Sequence, residues 1–354
     1  MCARSLASFS ASMHGLGSNG SPGIRALVFL VLALGTGLGE RALGETAIYF
    51  PPPCPEPRGA ASDEVLLRCF APVVIAAGVE ESYNRIGSLV LEQGAFGGLS
   101  VHVDVDLPTL YTEVRPDIVG GEMVLQLVYR MHFEKIPLRL SRFFFEAHRN
   151  PGLLVVVTLD ARAAKPLFVT VAHTCGCYAA VLPTENVPRA AFPPERPLDL
   201  IHVYGVTLPG ILVVPSPDAR PMLWLKAENH RITDVSFASA LPEARSIPVQ
   251  LRPMAELRDM PVAGGSDGRR ASVFHDSWPA RGHLRGAWNP LEGLTIFGIV
   301  ALDPMVGMDK DFGDPEQTGT EFYTMLAPWK QSESRLDRFD RLLRELGFRT
   351  DMIW

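Results

Sequence analysis

A histidine and two cysteines alternate with other residues in the segment His173-Thr-Cys175-Gly-Cys177. The segment continues a strand pattern, so we expect these three side chains to project from one face. Imidazole and thiolate are preferred ligands of zinc and copper, and three ligands with an open fourth position suit metal catalysis. The pattern supports a Zn- or Cu-binding protein or metalloenzyme, provided that the chain bends at Gly176, because same-face neighbours on a flat strand lie about 6.5–7 Å apart.

The same cysteines support a second interpretation, in which they are oxidised. Apart from Cys2, which lies in the N-terminal leader described below, the chain contains Cys54, Cys69, Cys175 and Cys177, and this even number allows three pairings. In one, Cys54 and Cys69 close a local loop and Cys175 and Cys177 form a tight ring. Crossed pairings would instead tie the Pro-rich N-terminal segment to the sheet.

A third hypothesis rests on His275, Asp276 and His283, which lie near Trp278 and Trp288 in a loop-like region that could line a cleft. Asp276 could orient a histidine for acid–base catalysis, as in a hydrolase or transferase. Adjacent residues on a strand point apart, so His275 and Asp276 are not by themselves a catalytic dyad. The sequence contains no Gly-x-Ser-x-Gly, His-Glu-x-x-His or phosphate-loop motif.

The N-terminal leader bears on whether the cysteines are oxidised or metal-bound, because it indicates the compartment. The apolar run Ala26–Gly39 follows Arg25 and contains no charge. It is too short for a bilayer core, which needs about 20 residues, and fits a secretory h-region of about 7–15. Small residues at Ala42 and Gly44 allow cleavage before Glu45, so we predict a signal peptide over 1–44, with an uncleaved N-terminal membrane anchor as the alternative. A periplasmic or extracellular location favours disulfides over a metal site.

Composition limits the partners. The formal net charge is −6 and charged residues make up 20% of the chain, so the polybasic surface that nucleic-acid binding requires is missing. The run Phe143–Phe145 is flanked by basic residues and leaves a membrane surface or an envelope protein open as partner. The sequence does not identify a small-molecule ligand.

Periodicity predicts a sheet-rich α+β fold of mainly antiparallel short strands with a C-terminal amphipathic helix. The 30 prolines and 31 glycines favour short elements joined by turns. Alternation or apolar runs predict strands at 99–106, 123–133, 153–159 and 167–181, and helical spacing predicts a helix between Ser332 and Gly347. The predicted parts are a signal peptide at 1–44, a Pro-rich linker at 45–64, a sheet-rich domain at 65–262 and a C-terminal region at 263–354 packed on the same domain. Together these features predict an exported cell-envelope protein, a structural or binding module stabilised by disulfides.

Overall fold

The computed structural model describes residues 44–55, 62–94, 97–137, 149–175, 178–203, 206–239, 245–264, 268–277, 280–286, 309–311 and 335–354. All of these residues belong to one compact unit of the chain. The predicted leader lies outside the described residues, except for Gly44, and the Phe143–Phe145 run lies outside them entirely. No helix within the described ranges is long and apolar enough to cross a membrane.

Strands predominate among the described elements. In chain order they are β1 (Thr46–Phe50), β2 (Val73–Ala77), β3 (Ser88–Gln93), β4 (Leu99–Asp104), β5 (Thr109–Val119), β6 (Glu122–His132), β7 (Gly152–Asp160), β8 (Pro166–His173), β9 (Ala179–Pro183), β10 (Leu200–Val203), β11 (Val206–Pro209), β12 (Arg220–Leu225), β13 (Ile232–Ala238), β14 (Arg245–Pro248), β15 (Gln250–Pro253), β16 (Met260–Ala263) and β17 (Arg270–Ala271). The α-helices are α1 (Asp63–Cys69) and α2 (Phe339–Glu345), and short 3-10 helices span Ser82–Asn84, Arg189–Ala191, Met254–Arg258, Leu336–Arg338 and Thr350–Met352.

A six-stranded sheet, in the order β15-β5-β6-β7-β8-β9, occupies the centre of the fold. Strand β7 is buried on both faces: Leu153 and Val155 belong to one core cluster, whereas Leu154 and Val156 belong to another. A strand covered on both sides needs apolar residues at successive positions, which explains the unbroken apolar sequence of β7. Any polar side chain on a neighbouring strand at this level must therefore also be buried.

The prediction of a sheet-rich α+β protein is confirmed, but a mainly antiparallel arrangement is not, because the sheets are mixed. Strand β14 pairs in parallel with β1, β12 with β2, β15 with β5, and β16 with β3. Each parallel pair joins a late strand to an early one. Alternation along the sequence reports hairpins between neighbouring strands but carries no signal for such distant pairing.

The strand predicted over 167–181 is a hairpin instead. Strand β8 ends at His173, the chain reverses, and β9 returns with Ala179 opposite Ala172. The backbone N–H of His173 donates to the carbonyl of Tyr178 at 3.0 Å and closes the loop. The prediction that His173 and Cys175 lie on one continuous strand was wrong, because a Thr-Cys turn follows His173.

A disulfide joins Cys54 to Cys69. Cys69 is the last residue of α1, whose first turn is capped by the Ser62 hydroxyl accepting from the N–H of Val65 at 3.5 Å. The bond fixes the Pro-rich segment after β1 to the end of this helix, which is the local loop closure predicted for these two cysteines.

The C-terminal helix α2 is shorter than the predicted helix. Its N-terminal flank is a 3-10 turn, and Ser332, the predicted N-cap, lies outside the described residues. Gly347 ends it as predicted, with a φ of +88° that favours glycine, and Phe348 donates back to the Leu343 carbonyl at 2.9 Å. Asp340 and Arg344 form an ion pair one turn apart on this helix.

Candidate functional site

A surface cavity of about 390 Å³ lies where strand β1, the β4–β5 turn and strands β14 and β15 meet. Parallel pairing of β1 with β14 places Ile247 beside Tyr49. The β4–β5 turn is held by the N–H of Asp106, which donates to the Asp104 carboxylate at 3.0 Å, and it projects Leu107 with 47% of its surface exposed. We call this cavity the Tyr49 pocket; it is lined by Tyr49, Val79, Arg85, Val105, Asp106, Leu107, Pro108, Arg245, Ile247, Pro248 and Gln250.

The hydroxyl of Tyr49 is the buried polar group of this pocket. The residue is 1% exposed; the Ile86 backbone hydrogen-bonds its oxygen, and its O–H finds no acceptor within the described part of the chain. Burial raises the pKa of Tyr49, while the nearby Ile86 backbone and the charges of Arg85 and Arg245 lower it by less. The hydroxyl therefore stays protonated at neutral pH and can donate to an acceptor that enters the pocket.

Two arginines bring positive charge to the pocket. The Nε group of Arg85 donates to the Val79 carbonyl at 2.7 Å, which fixes the orientation of the guanidinium. Arg245 donates from Nη1 to Glu45 at 3.0 Å, and both side chains of this pair are about half exposed (58% and 50%). Asp106 is the carboxylate among the described lining residues. Two guanidiniums and a protonated phenol beside one carboxylate can bind an anion.

A second polar group lies inside the fold, and we call it the Arg130 cluster: Arg130, His132, Asn150 and Asp309. Arg130, His132 and Asp309 are 0% exposed and Asn150 is 3% exposed. Arg130 donates from Nη1 to the Lys310 carbonyl at 2.7 Å and lies 5.2 Å from the centre of the Phe274 ring. The cluster thus ties residues 309–311 to the central sheet.

Hydrogen-bond geometry sets the protonation of His132. Arg130 Nε lies 2.8 Å from His132 Nε2, and because a guanidinium can only donate, Nε2 must be the unprotonated acceptor. The proton is then on Nδ1, which lies 3.2 Å from the Asn150 carbonyl and 3.6 Å from Asp309. Burial first, and the charge of Arg130 second, hold the pKa of His132 well below its usual value. A neutral, solvent-excluded imidazole suits a structural role.

Gly152 makes room for this cluster. It lies opposite His132 in the β6–β7 pair, and its carbonyl accepts from the N–H of Thr174 at 2.9 Å. A Cβ atom at this position would lie 2.4 Å from the Thr174 hydroxyl and 2.8 Å from His132 Cε1. The absence of a side chain at residue 152 is therefore what allows His132 and Thr174 to lie close to β7.

The structure places the predicted metal ligands around the β8–β9 hairpin. His173 is 4% exposed and pairs with Leu153, so it lies on the sheet face opposite Gly152 and the Arg130 cluster. Cys175 is 1% exposed and disulfide-bonded, and Cys177 lies outside the described residues. Within the described ranges, no three His, Cys, Asp or Glu side chains are placed to hold a metal ion. The three-ligand set itself stays a prediction.

The residues of the predicted cleft form a small irregular unit. The N–H of His275 donates to the His283 carbonyl at 2.9 Å, so the two histidine backbones are paired. The guanidinium of Arg285 lies close to the side chains of His275 and Asp276: its Nη1 is 3.5 Å from His275 Nδ1, and its Nη2 donates to Asp276 Oδ2 at 2.8 Å. Burial first, then the charge of Arg285, lowers the pKa of His275. Trp278 and Trp288 lie outside the described residues, and the cleft stays a prediction.

Two features escaped the sequence analysis. Arg130 and His132 lie within the strand predicted at 123–133, and the continuous apolar sequence of β7 was the signal that their face of the sheet is buried. The Tyr49 pocket had no local signal, because Tyr49, Arg85 and Arg245 come from three distant segments. The chain matches no protein-family model, and comparison with curated proteins and with solved structures finds no similar protein.

Proposed function

We propose that this chain is an exported, disulfide-stabilised binding module of the cell envelope, and that the Tyr49 pocket is where it binds a small-molecule ligand. The observation that carries the proposal is the cavity of about 390 Å³ lined by the buried Tyr49 hydroxyl, whose O–H has no acceptor among the described residues. Its volume falls in the range of about 300–1,000 Å³ typical of ligand sites, and its lining combines apolar walls with few polar groups, as ligand sites do.

The chemistry of the lining supports binding. Its described side chains are mainly apolar, and its charged members are two arginines and one carboxylate, which suit recognition of a polar group. The Arg130 cluster contains a histidine and a carboxylate, but both are 0% exposed. A substrate has no surface there to contact, and the cluster supports the stability of the module.

Export and oxidation belong to the same proposal. The Cys54–Cys69 bond and the disulfide-bonded state of Cys175 support an oxidising compartment, since disulfides persist outside the cytoplasm. The apolar run Ala26–Gly39 supports delivery to it. Bridges that restrict the unfolded chain suit a protein that must persist in the envelope.

The binding function is tested by thermal unfolding of the purified protein with a library of small polar and apolar compounds. A ligand that binds only the folded state raises Tm. The Ile247→Trp variant fills the pocket, and Ile118→Trp is the matched control, because Ile118 is 61% exposed and is not part of the lining. We expect ligands that stabilise the wild type and Ile118→Trp but not Ile247→Trp. Stabilisation that persists in Ile247→Trp, or its absence for every compound, would refute the proposal.

Export and oxidation are tested separately. Fusion of residues 1–44 to a reporter enzyme that is active only outside the cytoplasm should give activity, and replacement of Leu32 and Leu34 by Arg within the apolar run should abolish it. Thiol titration of the purified protein in denaturant without reductant should find no free cysteine. Four free thiols among Cys54, Cys69, Cys175 and Cys177 would contradict the disulfide part.

A further inference from the structure

We infer that the Tyr49 pocket takes a small monoanionic carboxylate with an apolar body, whose carboxylate group lies among Arg85, Arg245 and the Tyr49 hydroxyl. The inference rests on the proposed binding function and names the chemical class of its ligand.

The two guanidiniums supply the charge. Arg245 is paired with Glu45, but both side chains are about half exposed (58% and 50%), and such surface pairs are weak enough to exchange for a ligand. Arg85 uses Nε on Val79 and Nη2 on Glu80, at 2.7 and 3.4 Å, and its Nη1 makes no hydrogen bond to any part of the chain that the structure describes. A carboxylate accepts the parallel N–H groups that a fixed guanidinium presents.

The Tyr49 hydroxyl adds a directional donor. It is buried, its oxygen accepts from the Ile86 backbone, and its O–H has no acceptor among the described residues; the charges of Arg85 and Arg245 act on it. A buried O–H without an acceptor is costly, so an acceptor oxygen that arrives with the ligand relieves an existing deficit. A neutral apolar ligand would leave that deficit in place.

The remaining charge favours a monoanion. Asp106 also lines the pocket. Once the ligand has replaced Glu45 as the partner of Arg245, the two arginines of the lining face one carboxylate, and a single negative charge on the ligand balances them. A phosphate dianion would meet repulsion from Asp106 and would find fewer donors than its oxygens require.

The walls of the pocket favour an apolar body. Their apolar members are Val79, Val105, Leu107, Pro108, Ile247 and Pro248. Leu107 is 47% exposed in the free protein, so a ligand that covers it removes apolar surface from water. The cavity volume of about 390 Å³ is near the lower end of the range for ligand sites and suits a compact ligand, such as one with a single ring or a short chain.

The experiment is isothermal titration of the full, folded protein with benzoate and hexanoate, with benzamide and hexanamide as neutral analogues of the same shape, and with inorganic phosphate. We expect a carboxylate to bind at least about tenfold more tightly than its amide, and phosphate to bind no more tightly than the amides. An amide that binds as tightly as its carboxylate would overturn the inference, as would tighter binding of phosphate.

Variants test the assigned residues. Arg245→Gln and Tyr49→Phe should each weaken carboxylate binding about tenfold, the scale expected for one hydrogen bond to a charged group. Arg245→Gln should leave amide binding unchanged, whereas Tyr49→Phe should weaken it by less than tenfold, because the amide carbonyl also accepts from the hydroxyl. Arg162→Gln is the control, because Arg162 is also an exposed arginine paired with a glutamate but lies outside the lining. Unchanged carboxylate affinity in both pocket variants would overturn the assignment.

The failure of this inference is distinguishable from the failure of the proposed function. Suppose that the wild type binds amides and carboxylates equally tightly and that Ile247→Trp abolishes binding of both. The binding function then stands, and the anion class is wrong. If neither carboxylate binds at about 10 mM, a concentration that detects even Kd values in the millimolar range, the anion class is also wrong. The library experiment above then decides the proposed function on its own.

Discussion

Arg130 Nε donates a hydrogen bond to His132 Nε2 across 2.8 Å, and both side chains are completely buried. Arg130 is positively charged and His132 is neutral, because burial and the guanidinium charge both oppose protonation of the ring. The nearby charges that favour the cationic form of Arg130 are those of Asp309 and Asp311. Arg130 therefore joins β6 to residues 309–311, and its buried positive charge is compensated by the nearby carboxylates. Replacement of Arg130 should lower the stability of the fold.

Replacement of Arg130 by Met should lower the free energy of unfolding by about 3–5 kcal/mol, the usual effect of leaving a buried charge uncompensated. The variant leaves the buried Asp309 carboxylate without the guanidinium charge and His132 Nε2 without its donor. Urea denaturation with linear extrapolation measures the change. Arg162→Met removes an exposed arginine and should cost less than about 1 kcal/mol. Equal small losses in the two variants would contradict the structural role of Arg130.

The stability of the protein should fall in mild acid because of His132. Its pKa is far lower in the folded protein than the 6.5 of a free histidine, so below pH 6.5 the unfolded chain binds a proton that the folded protein does not. The free energy of unfolding then decreases as the pH falls, with a slope of up to about 1.4 kcal/mol per pH unit from this residue.

The control for this pH dependence is His132→Gln, which retains an acceptor for Arg130 but does not titrate. The difference in unfolding free energy between wild type and variant should be constant above pH 6.5 and shrink below it. His102→Gln, at an exposed histidine, should retain the acid-side loss of the wild type. Parallel curves for wild type and His132→Gln would show that His132 titrates normally.

Gly152→Ala should destabilise the protein by about 1–3 kcal/mol, the usual cost of overpacking a filled interior. The added methyl group would overlap the Thr174 hydroxyl and the His132 ring, at 2.4 and 2.8 Å from its Cβ atom. Gly98→Ala is the matched control, because a Cβ atom at Gly98 meets nothing within 4 Å. Thermal and urea unfolding of both variants measure the effect, and equal stability of the two would argue against close approach of His132 to β7.

Removal of the Cys54–Cys69 bridge in the double variant Cys54→Ser/Cys69→Ser should lower the free energy of unfolding by about 3 kcal/mol. The bridge closes a loop with a sequence separation of 15, and that value is expected for a loop of this length from the lost restriction of the unfolded chain. The difference from wild type should vanish when both proteins are unfolded in reductant. A difference that persists in reductant would indicate a packing effect of the serines.

Local pattern predicted the elements well and their long-range pairing poorly. The strand predicted by alternation at 99–106 is present as β4, where Val101 and Val103 are buried and His102 is exposed. An antiparallel strand with one solvent-exposed face shows this alternation in its own sequence. The same method left the polar face of β6 open and missed the burial of His132, because burial there depends on chain segments that pack over the sheet. Parallel pairing, such as β1 with β14, also leaves no local trace.

The candidate site could likewise be predicted only where it depends on residues that are close in the sequence. The Cys54–Cys69 bridge was one of the predicted pairings, because the two residues lie close in the sequence. The Tyr49 pocket depends on Arg245 reaching Tyr49 across the parallel β1–β14 pair, and no spacing in the sequence reports that contact. The His-x-Cys-x-Cys pattern suggested one strand, whereas the turn after His173 divides it.

The most direct test of the binding account is a map of backbone amide NMR shifts as benzoate is added to the isotopically labelled protein. The account predicts that the shifted amides cluster at Tyr49, Arg85, the turn 105–107, Arg245 and Ile247, and that Arg245→Gln strongly reduces these shifts at the same subsaturating benzoate concentration. Shifts that cluster at other residues, or shifts at the pocket that are undiminished in Arg245→Gln, would contradict it.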